Sequence, residues 1–246
     1  MMQKTLSKEI SFQGNALHTG EVVNVKLIPS AENTGIIFVR EDLENAEIPA
    51  LVKYVNRTDR QTILENGEAS VGTVEHLMAS LYALGIDNLR VELNGSEVPI
   101  LDGSAAPLVD LILEAGIEEQ SVEKNFYVLE ETFTFKDEDG SEIMALPSEE
   151  FEVSALIDYG SSVLGPQHAH LDKMVNFRDE IASARTFSFL RELEPLLDAG
   201  LIKGGDLNNA IVYVDQDIAP STLDKLKTAF GRDDVEVTQR GTLNNI

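Results

Sequence analysis

Short segments in which apolar and polar residues alternate constrain this fold most, because each predicts a narrow, half-buried strand. A period of two predicts strands over residues 21–28 and 89–93, and an apolar run predicts another over residues 36–39. The pair Asn94-Gly95 then predicts a turn. The residues that share one face of the two alternating strands are Val23, Val25, Leu27, Leu89, Val91 and Leu93.

Two stretches with helical spacing separate and follow these strands. Residues 73–84 predict a helix with Thr73 as its N-cap and Gly85 as its stop. Residues 104–114 predict a second helix that ends at Gly116. The apolar positions that face inward are Val74, Leu77, Met78 and Leu81 in the first helix and Leu108, Leu111 and Ile112 in the second.

The second half of the chain repeats this mixed pattern after a polar segment, residues 118–125, which is typical of a linker. A turn is predicted at residues 137–140, and Gly200 and Gly204-Gly205 interrupt the later elements. We therefore predict an α+β fold of two lobes, residues 1–122 and 123–246. The predicted strands are 126–135, 151–157 and 210–214, and the predicted helices are 187–198 and one that follows Pro220-Ser221.

The charge of the chain excludes several classes of protein. With 43 acidic and 19 basic side chains, its net charge of -24 argues against a nucleic-acid surface and a polybasic membrane anchor.

Without cysteine, a transition-metal site must use His, Asp and Glu. The N-terminus has no apolar signal region, and no run approaches the ~18 apolar residues of a membrane span. A cytoplasmic protein without a transmembrane segment is the expectation.

The adjacent pair Glu75-His76 is the first candidate for chemistry. A carboxylate takes a proton from water and a neutral imidazole holds a metal ion, so the pair suits a metal-assisted hydrolase. A partly exposed surface pair on an ordinary helix explains the same two residues. The dipeptide alone does not decide between these alternatives.

The other histidines each have a plainer explanation. His168 and His170 have a spacing that binds metals on a strand, but their glycine-rich surroundings are typical of a solvated loop. His18, at a strand-to-turn junction, lines a pocket or caps the turn.

A serine triad is a weaker hypothesis. Ser104, His76 and Asp102 supply the residue types, yet nothing resembles a nucleophile elbow, and a turn followed by a serine cap explains Asp102 and Ser104. No phosphate-binding loop or dinucleotide fingerprint is present.

Five segments resemble the UDP-3-O-acyl-N-acetylglucosamine deacetylases, zinc amidases that commit a nucleotide sugar to lipid A synthesis. The resemblance covers nearly the whole chain, and the second half also resembles relatives fused to a 3-hydroxyacyl-[acyl-carrier-protein] dehydratase. The segments are residues 14–20, 73–93, 97–107, 184–189 and 200–212.

The resemblance implies two lobes, each a small, mostly antiparallel sheet against helices, with the active site between them and an insert in each. It implies that His76 is a zinc ligand and Glu75 the general base. Thr186 orients water or the polarised carbonyl, Phe187 lines the site and His18 lies near the sugar. His168 and His170 fall in the second-lobe insert, which weakens their candidacy as metal ligands.

A passage for the hydroxyacyl chain is also implied, although its apolar residues are equally suited to a core. The residues concerned are Leu193, Ile202, Gly205, Leu207, Ala210 and Val212.

The chain departs from the family at its C-terminal end. The family's His-Lys-x-x-Asp motif and a further histidine follow the segment that here is residues 241–246, and no histidine follows His170. Since catalytic zinc normally has three protein ligands, we expect a truncated, inactive chain with an incomplete second lobe. The implied function is zinc-dependent deacetylation of UDP-3-O-(3-hydroxyacyl)-N-acetylglucosamine. The alternative is an inactive homologue that only binds a ligand or partner.

Overall fold

The computed structural model describes residues 1–199 and 202–244. The strands of the first half are β1 (Met2–Leu6), β2 (Ile10–Asn15), β3 (Val22–Pro29), β4 (Ile36–Arg40), β5 (Ala46–Pro49), β6 (Val55–Arg57), β7 (Ile63–Asn66), β8 (Ala69–Val71), β9 (Leu89–Leu93) and β10 (Ile117–Glu123). Its helices are α1 (Glu75–Ala83) and α2 (Ala106–Ala115), with a short 3-10 helix at Val52–Tyr54.

The second half has shorter elements. Its strands are β11 (Phe133–Lys136), β12 (Glu142–Ala145), β13 (Val153–Asp158), β14 (Pro166–Leu171), β15 (Phe187–Phe189) and β16 (Ile211–Tyr213). Its helices are α3 (Phe177–Glu180), α4 (Leu190–Asp198) and α5 (Pro220–Phe230), with a 3-10 helix at Met174–Asn176.

The largest sheet has five strands in the order β2-β3-β9-β4-β5. All neighbours are antiparallel except β4 and β9, which are parallel. The six alternating residues predicted to share a face are all buried, so the strand predictions are confirmed. Together with α1 and α2 they form the main hydrophobic core.

The two predicted helices of the first half exist, but the N-cap assignment was wrong. Val74 occupies the N-cap position of α1, and the side chain of Thr73 bonds elsewhere. Gly85 and Gly116 end α1 and α2 with positive φ, as predicted. Leu108 and Ile112 of α2 are fully buried, whereas Leu111 is only partly so.

The predicted linker is a strand. Residues 117–123 form β10, which pairs antiparallel with β1. Its side chains are mostly exposed, so the polar composition reflects a solvated strand and not a flexible connection. A separate three-stranded antiparallel sheet is formed by β6, β7 and β8.

The second half differs from its predictions at three places. Of the predicted strand 126–135, only residues 133–135 form a strand, as part of β11, although the turn at 137–140 does join β11 to β12. His168 and His170 lie on β14, not in a loop. Phe189 belongs to β15, since α4 begins at Leu190. Gly200, predicted to interrupt the chain, lies outside the described residues.

Two core clusters support the second half. One joins α4, β16 and α5 through Leu190, Val212 and Leu226. The other packs α2 against α3 through Val109 and Phe177. The hairpins β11–β12 and β13–β14 have almost entirely exposed side chains.

The fold is thus a mixed α+β structure, as predicted. The predicted boundary between residues 122 and 123 falls inside β10, before its last residue, and the division into two lobes stays a prediction. No helix within the described residues is both long and apolar enough to cross a membrane.

Candidate active site

Glu75 and His76 form the first turn of α1, whose buried stripe continues with Leu77 and Leu81. An Oε atom of Glu75 accepts a hydrogen bond from the backbone N–H of Thr62 (3.1 Å). Burial lowers the pKa of the His76 imidazole below its ordinary value, against the opposing charges of Glu75 and Asp102. The imidazole is therefore neutral at pH 7, which is the form that binds a metal ion.

Asp102 lies in the turn that leads into α2, close enough to His76 for a charge interaction. Its Oδ1 accepts hydrogen bonds from the backbone N–H (2.9 Å) and hydroxyl (2.8 Å) of Ser104. The Ser104 hydroxyl in turn accepts the N–H of Ala106 (3.2 Å). The turn at Asp102 is confirmed, but the prediction of Ser104 as the N-cap was wrong, because Ala105 occupies the N-cap position of α2 and Ser104 stands one residue before it.

The turn at 102–105 also meets the second half of the chain. The N–H of Thr186 donates to the carbonyl of Gly103 (2.7 Å), and Arg185 Nε donates to the carbonyl of Asp102 (2.8 Å). The N–H of Ala105 donates to Ala182 (2.9 Å). These bonds hold Thr186 beside the turn that faces His76.

A second contact between the halves involves the turn that contains His18. The N–H of Gly204 donates to the carbonyl of Leu17 (3.2 Å), and a side chain at Gly204 would overlap the carbonyl oxygen of Ala16. We call these two sets of contacts together the junction. It consists of residues 16–20, 102–105, 182–186 and 203–209.

The His18 ring is oriented by Glu97, which is 2 % exposed. Nδ1 of His18 lies 2.8 Å from Oε1 of Glu97. Burial alone would raise the pKa of the Glu97 carboxyl, but hydrogen bonds from His18, Thr73 and Thr19 hold that pKa below its ordinary value. Glu97 is therefore ionised at neutral pH.

Phe187 belongs to an aromatic cluster next to Thr186. Its ring centroid lies 5.0 Å from that of Tyr159, 5.7 Å from Phe189 and 5.5 Å from Tyr213, all edge-on. Edge-to-face packing of this kind fixes ring orientation. Phe187 is only partly buried, so one side of the cluster is open.

The residues predicted to line an acyl passage lie in two settings. Leu207 and Val212 are buried in the core with Leu190 and Leu226. Ile202 and Gly205 are partly exposed, and the side chains of Leu17 and Ile202 both lie close to Gly205. Leu193 and Ala210 are also partly exposed. Their role in binding an acyl chain stays a prediction.

A complete metal site is not formed by the described residues: across 1–199 and 202–244, no three His, Asp or Glu side chains could share one ion. These residues do not fit a three-ligand zinc centre, and His76 fits as a single ligand. His168, on the exposed hairpin, bonds through Nε2 to the Ser154 hydroxyl (3.1 Å).

Glu97 is the residue whose importance the sequence reasoning missed. A signal was present, because a glutamate stands between Ser96 and the apolar residues Val98 and Ile100, which are buried here. An acidic side chain in a buried segment needs hydrogen-bond partners, and this need could have marked it.

Residues 3–227 match the family model for UDP-3-O-acyl N-acetylglycosamine deacetylase. The chain belongs to this deacetylase family. It is 45% identical to the bifunctional enzyme LpxC/FabZ of Bacteroides thetaiotaomicron over 100% of this chain and 54% of that protein. The corresponding protein of Chlorobaculum tepidum is 42% identical over 99% of this chain and 53% of its own length.

A single-function family member is similar as well. The UDP-3-O-acyl-N-acetylglucosamine deacetylase of Myxococcus xanthus is 47% identical over 85% of this chain and 67% of its own length. The chain spans about half the length of the bifunctional relatives it matches. Glu75, His76 and Thr186 all lie inside the matched residues.

Proposed function

We propose that this chain supplies the water-activating side of a hydrolase that removes the acetyl group from UDP-3-O-(3-hydroxyacyl)-N-acetylglucosamine, the committed step of lipid A synthesis. One observation carries the proposal. Glu75 and His76 form the first turn of α1, beside the turn that contains Asp102 and Gly103. In that turn, the Gly103 carbonyl accepts a hydrogen bond from the backbone N–H of Thr186. Because the chain belongs to the deacetylase family, we infer the substrate from that family.

Glu75 is the proton acceptor in this proposal. As the water oxygen bonds to the acetamide carbon, one water proton passes to the Glu75 carboxylate. That proton then goes to the nitrogen as the carbon–nitrogen bond breaks, and acetate and a free amine are released. The neutral His76 ring supplies one ligand for the zinc ion used by the family.

The remaining residues bind and orient the substrate. Thr186 orients the water or the carbonyl, Phe187 lines the site and His18 lies near the sugar. The acyl chain follows Leu193, Ile202, Gly205, Leu207, Ala210 and Val212. In this proposal the site lies between lobes 1–122 and 123–246, in the cytoplasm. The chain corresponds to the deacetylase part of a polypeptide that also carries a dehydratase, as the names of its relatives suggest.

Acetate release from the acylated UDP-sugar tests the role of Glu75. In the full-length protein, Glu75→Gln should lower kcat by at least about 100-fold, because this is the ordinary contribution of a general base. Glu118→Gln, an exposed carboxylate on β10, is the matched control and should leave the rate unchanged. Equal rates in both variants would refute the proposal.

Zinc content tests the role of His76 without any assay of activity. Elemental analysis of purified residues 1–246 should be compared with the His76→Ala variant. About one zinc per chain, lost in the variant, would mean that other groups or a neighbouring chain complete the site. Near-zero zinc in both would mean that this chain contributes only one ligand. Zinc bound equally by both would exclude His76 as a ligand.

A further inference from the structure

Glu97 is a buried acidic residue outside the groups that perform the proposed chemistry. It lies just beyond β9, where residues 96–98 run parallel to Gly72. The N–H of Gly72 donates to Ser96 (2.9 Å), and the N–H of Val98 donates to Gly72 (3.0 Å). Glu97 is thereby held beside the segment that leads into α1. A buried carboxylate needs strong partners, since an isolated charge is very costly there.

Within the part of the chain that the structure describes, every hydrogen-bond partner of the Glu97 carboxylate belongs to one of two site-bearing segments. From the His18 turn, the backbone N–H groups of His18 and Thr19 donate to its carboxylate at 3.1 Å. The Nδ1 of His18 lies 2.8 Å from Oε1. From the segment before α1, the Thr73 hydroxyl lies 2.8 Å from the same Oε1. One carboxylate thus joins the His18 turn to the start of the helix that carries Glu75.

Thr73, which takes part in this connection, has a strained backbone conformation. Thr73 is buried and has a φ of +54°, in the left-handed region that β-branched residues avoid. Such a conformation persists only where surrounding contacts determine it, and it occurs often at functional sites. The hydroxyl bond to Glu97 is one of those contacts, two residues before Glu75.

The bond to Glu97 also decides where the His18 ring carries its proton. An ionised carboxylate only accepts hydrogen bonds, so Nδ1 must be the protonated nitrogen. In the neutral ring Nε2 is then an acceptor, and it is the nitrogen that Glu97 does not engage.

We propose that Glu97 is a positioning residue that fixes His18 as the Nδ1–H tautomer, presents Nε2 to the substrate, and ties the His18 turn to the first turn of α1. The part that concerns the substrate rests on the proposed function. The tautomer and the connection do not, because they follow from the hydrogen bonds alone.

Glu97→Gln is a sharp test because the amide has one acceptor and one donor. Its oxygen is expected at the Oε2 position, where the backbone N–H groups of His18 and Thr19 converge. Its NH₂ group then faces Nδ1, which can only accept, so the ring proton must move to Nε2. Thr73→Val is the matched control, since it removes the other partner of Oε1 and keeps the carboxylate.

The measurement is the pattern of ¹⁵N shifts and two-bond couplings of the four histidines in ¹⁵N-histidine-labelled protein, with His18 assigned by its loss in His18→Asn. The Nδ1–H tautomer is expected in the unaltered protein and in Thr73→Val, and the Nε2–H tautomer in Glu97→Gln. Nδ1–H in Glu97→Gln would overturn the proposal. If Glu97→Gln does not fold, the unaltered protein provides the test. An Nε2–H tautomer of His18 in that protein would overturn the proposal.

Activity separates this proposal from the proposed function. In the full-length protein, Glu97→Gln should lower kcat/KM by at least about tenfold. An unchanged kcat/KM, with Glu75→Gln inactive, would overturn the substrate part of this proposal and leave the deacetylase assignment standing. A fully active Glu75→Gln would refute the proposed base, whatever the tautomer of His18.

Discussion

Gly103 is one of the residues on which the junction depends directly. Its φ is +84°, and a side chain there would overlap the backbone carbonyl of Asn209. Gly103→Ala should lower the free energy of unfolding by about 1–2 kcal/mol through left-handed strain and by a further ~1–3 kcal/mol through the overlap. Urea denaturation measures both contributions together.

Gly67→Ala separates the two contributions. Gly67 also has a positive φ, +64°, but no atom lies within 4 Å of the position of a side chain. This variant should show the strain contribution alone. Equal losses of stability in the two variants would mean that the close approach of Gly103 to Asn209 contributes nothing.

Glu97 should make the stability of the protein sensitive to acid. Its folded pKa is lowered, so the unfolded chain binds the proton more tightly, and the stabilisation is present above about pH 4.5. It is lost as the pH falls through the folded pKa. Urea denaturation of Glu97→Gln from pH 7 to pH 3 should show a shallower acid dependence than the unaltered protein. Glu118→Gln should retain the original slope.

The sequence predicted some site residues and not others for a physical reason. Glu75 and His76 are adjacent, so the pairing of a carboxylate with an imidazole could be proposed without knowledge of the fold. Glu97 acts on His18, which lies 79 residues away, and only the folded chain shows that pairing. Thr73 matches the consensus of a helix cap, but tertiary contact with Glu97 replaces that local bond.

Among the secondary-structure elements, those with one buried face were predicted best. In β3 and β9 the alternating residues face the core, so burial imposes a period of two on the sequence. β10 and β14 are defined by pairing with a neighbouring strand while most of their side chains face solvent. Their sequences therefore have no apolar period, which explains why one was interpreted as a linker and the other as a loop.

Attachment of β1 and β10 to the main sheet depends on a buried amide network around Asn88. Its Nδ2 donates to Gln3 (2.8 Å) and Gln120 (2.7 Å), and its Oδ1 accepts from Gly35 (2.9 Å). Asn88→Ala removes the partner of Gln120 Oε1 and of the Gly35 N–H, whereas Gln3 Oε1 keeps its bond from the Asn33 N–H (2.9 Å). The substitution should cost about 2–4 kcal/mol. Hydrogen exchange of the β1 and β10 amides and urea denaturation measure the loss.

The control for the amide network is Asn66→Ala, at the exposed end of β7. It should change stability by no more than about 0.5 kcal/mol. If Asn88→Ala cost no more than this control, the network would contribute no stability.

The whole molecule combines a high negative charge with an apolar surface on its second half. Repulsion between chains of net charge -24 opposes association until salt screens it. We therefore predict that the protein is monomeric at low salt and associates at ~0.5 M NaCl. The large exposed apolar residues of this surface are Phe126, Tyr127, Val128, Phe133, Phe135, Ile143, Met144, Leu146, Phe151, Val153, Leu156 and Ile157.

Size-exclusion chromatography with light scattering tests this prediction. The double variant Phe133→Ser, Phe135→Ser removes two neighbours on one face of β11 and should remain monomeric at high salt. Leu43→Ser, an exposed apolar residue in the first half, should associate as the parent does. Association of the double variant at the same salt concentration would exclude β11 as the contact surface.

The junction has a consequence for the order of events during synthesis. Leu17 bonds Gly204, and Asp102 bonds Arg185, 83 residues further along the chain. At ordinary rates of translation, roughly 10–40 s separate the emergence of the two partners of the first bond. The main sheet and α1, the helix that carries Glu75 and His76, can fold on the ribosome in that interval. The nascent chain then presents Glu75, the proposed proton acceptor, well before Thr186, the proposed orienting residue, has been made.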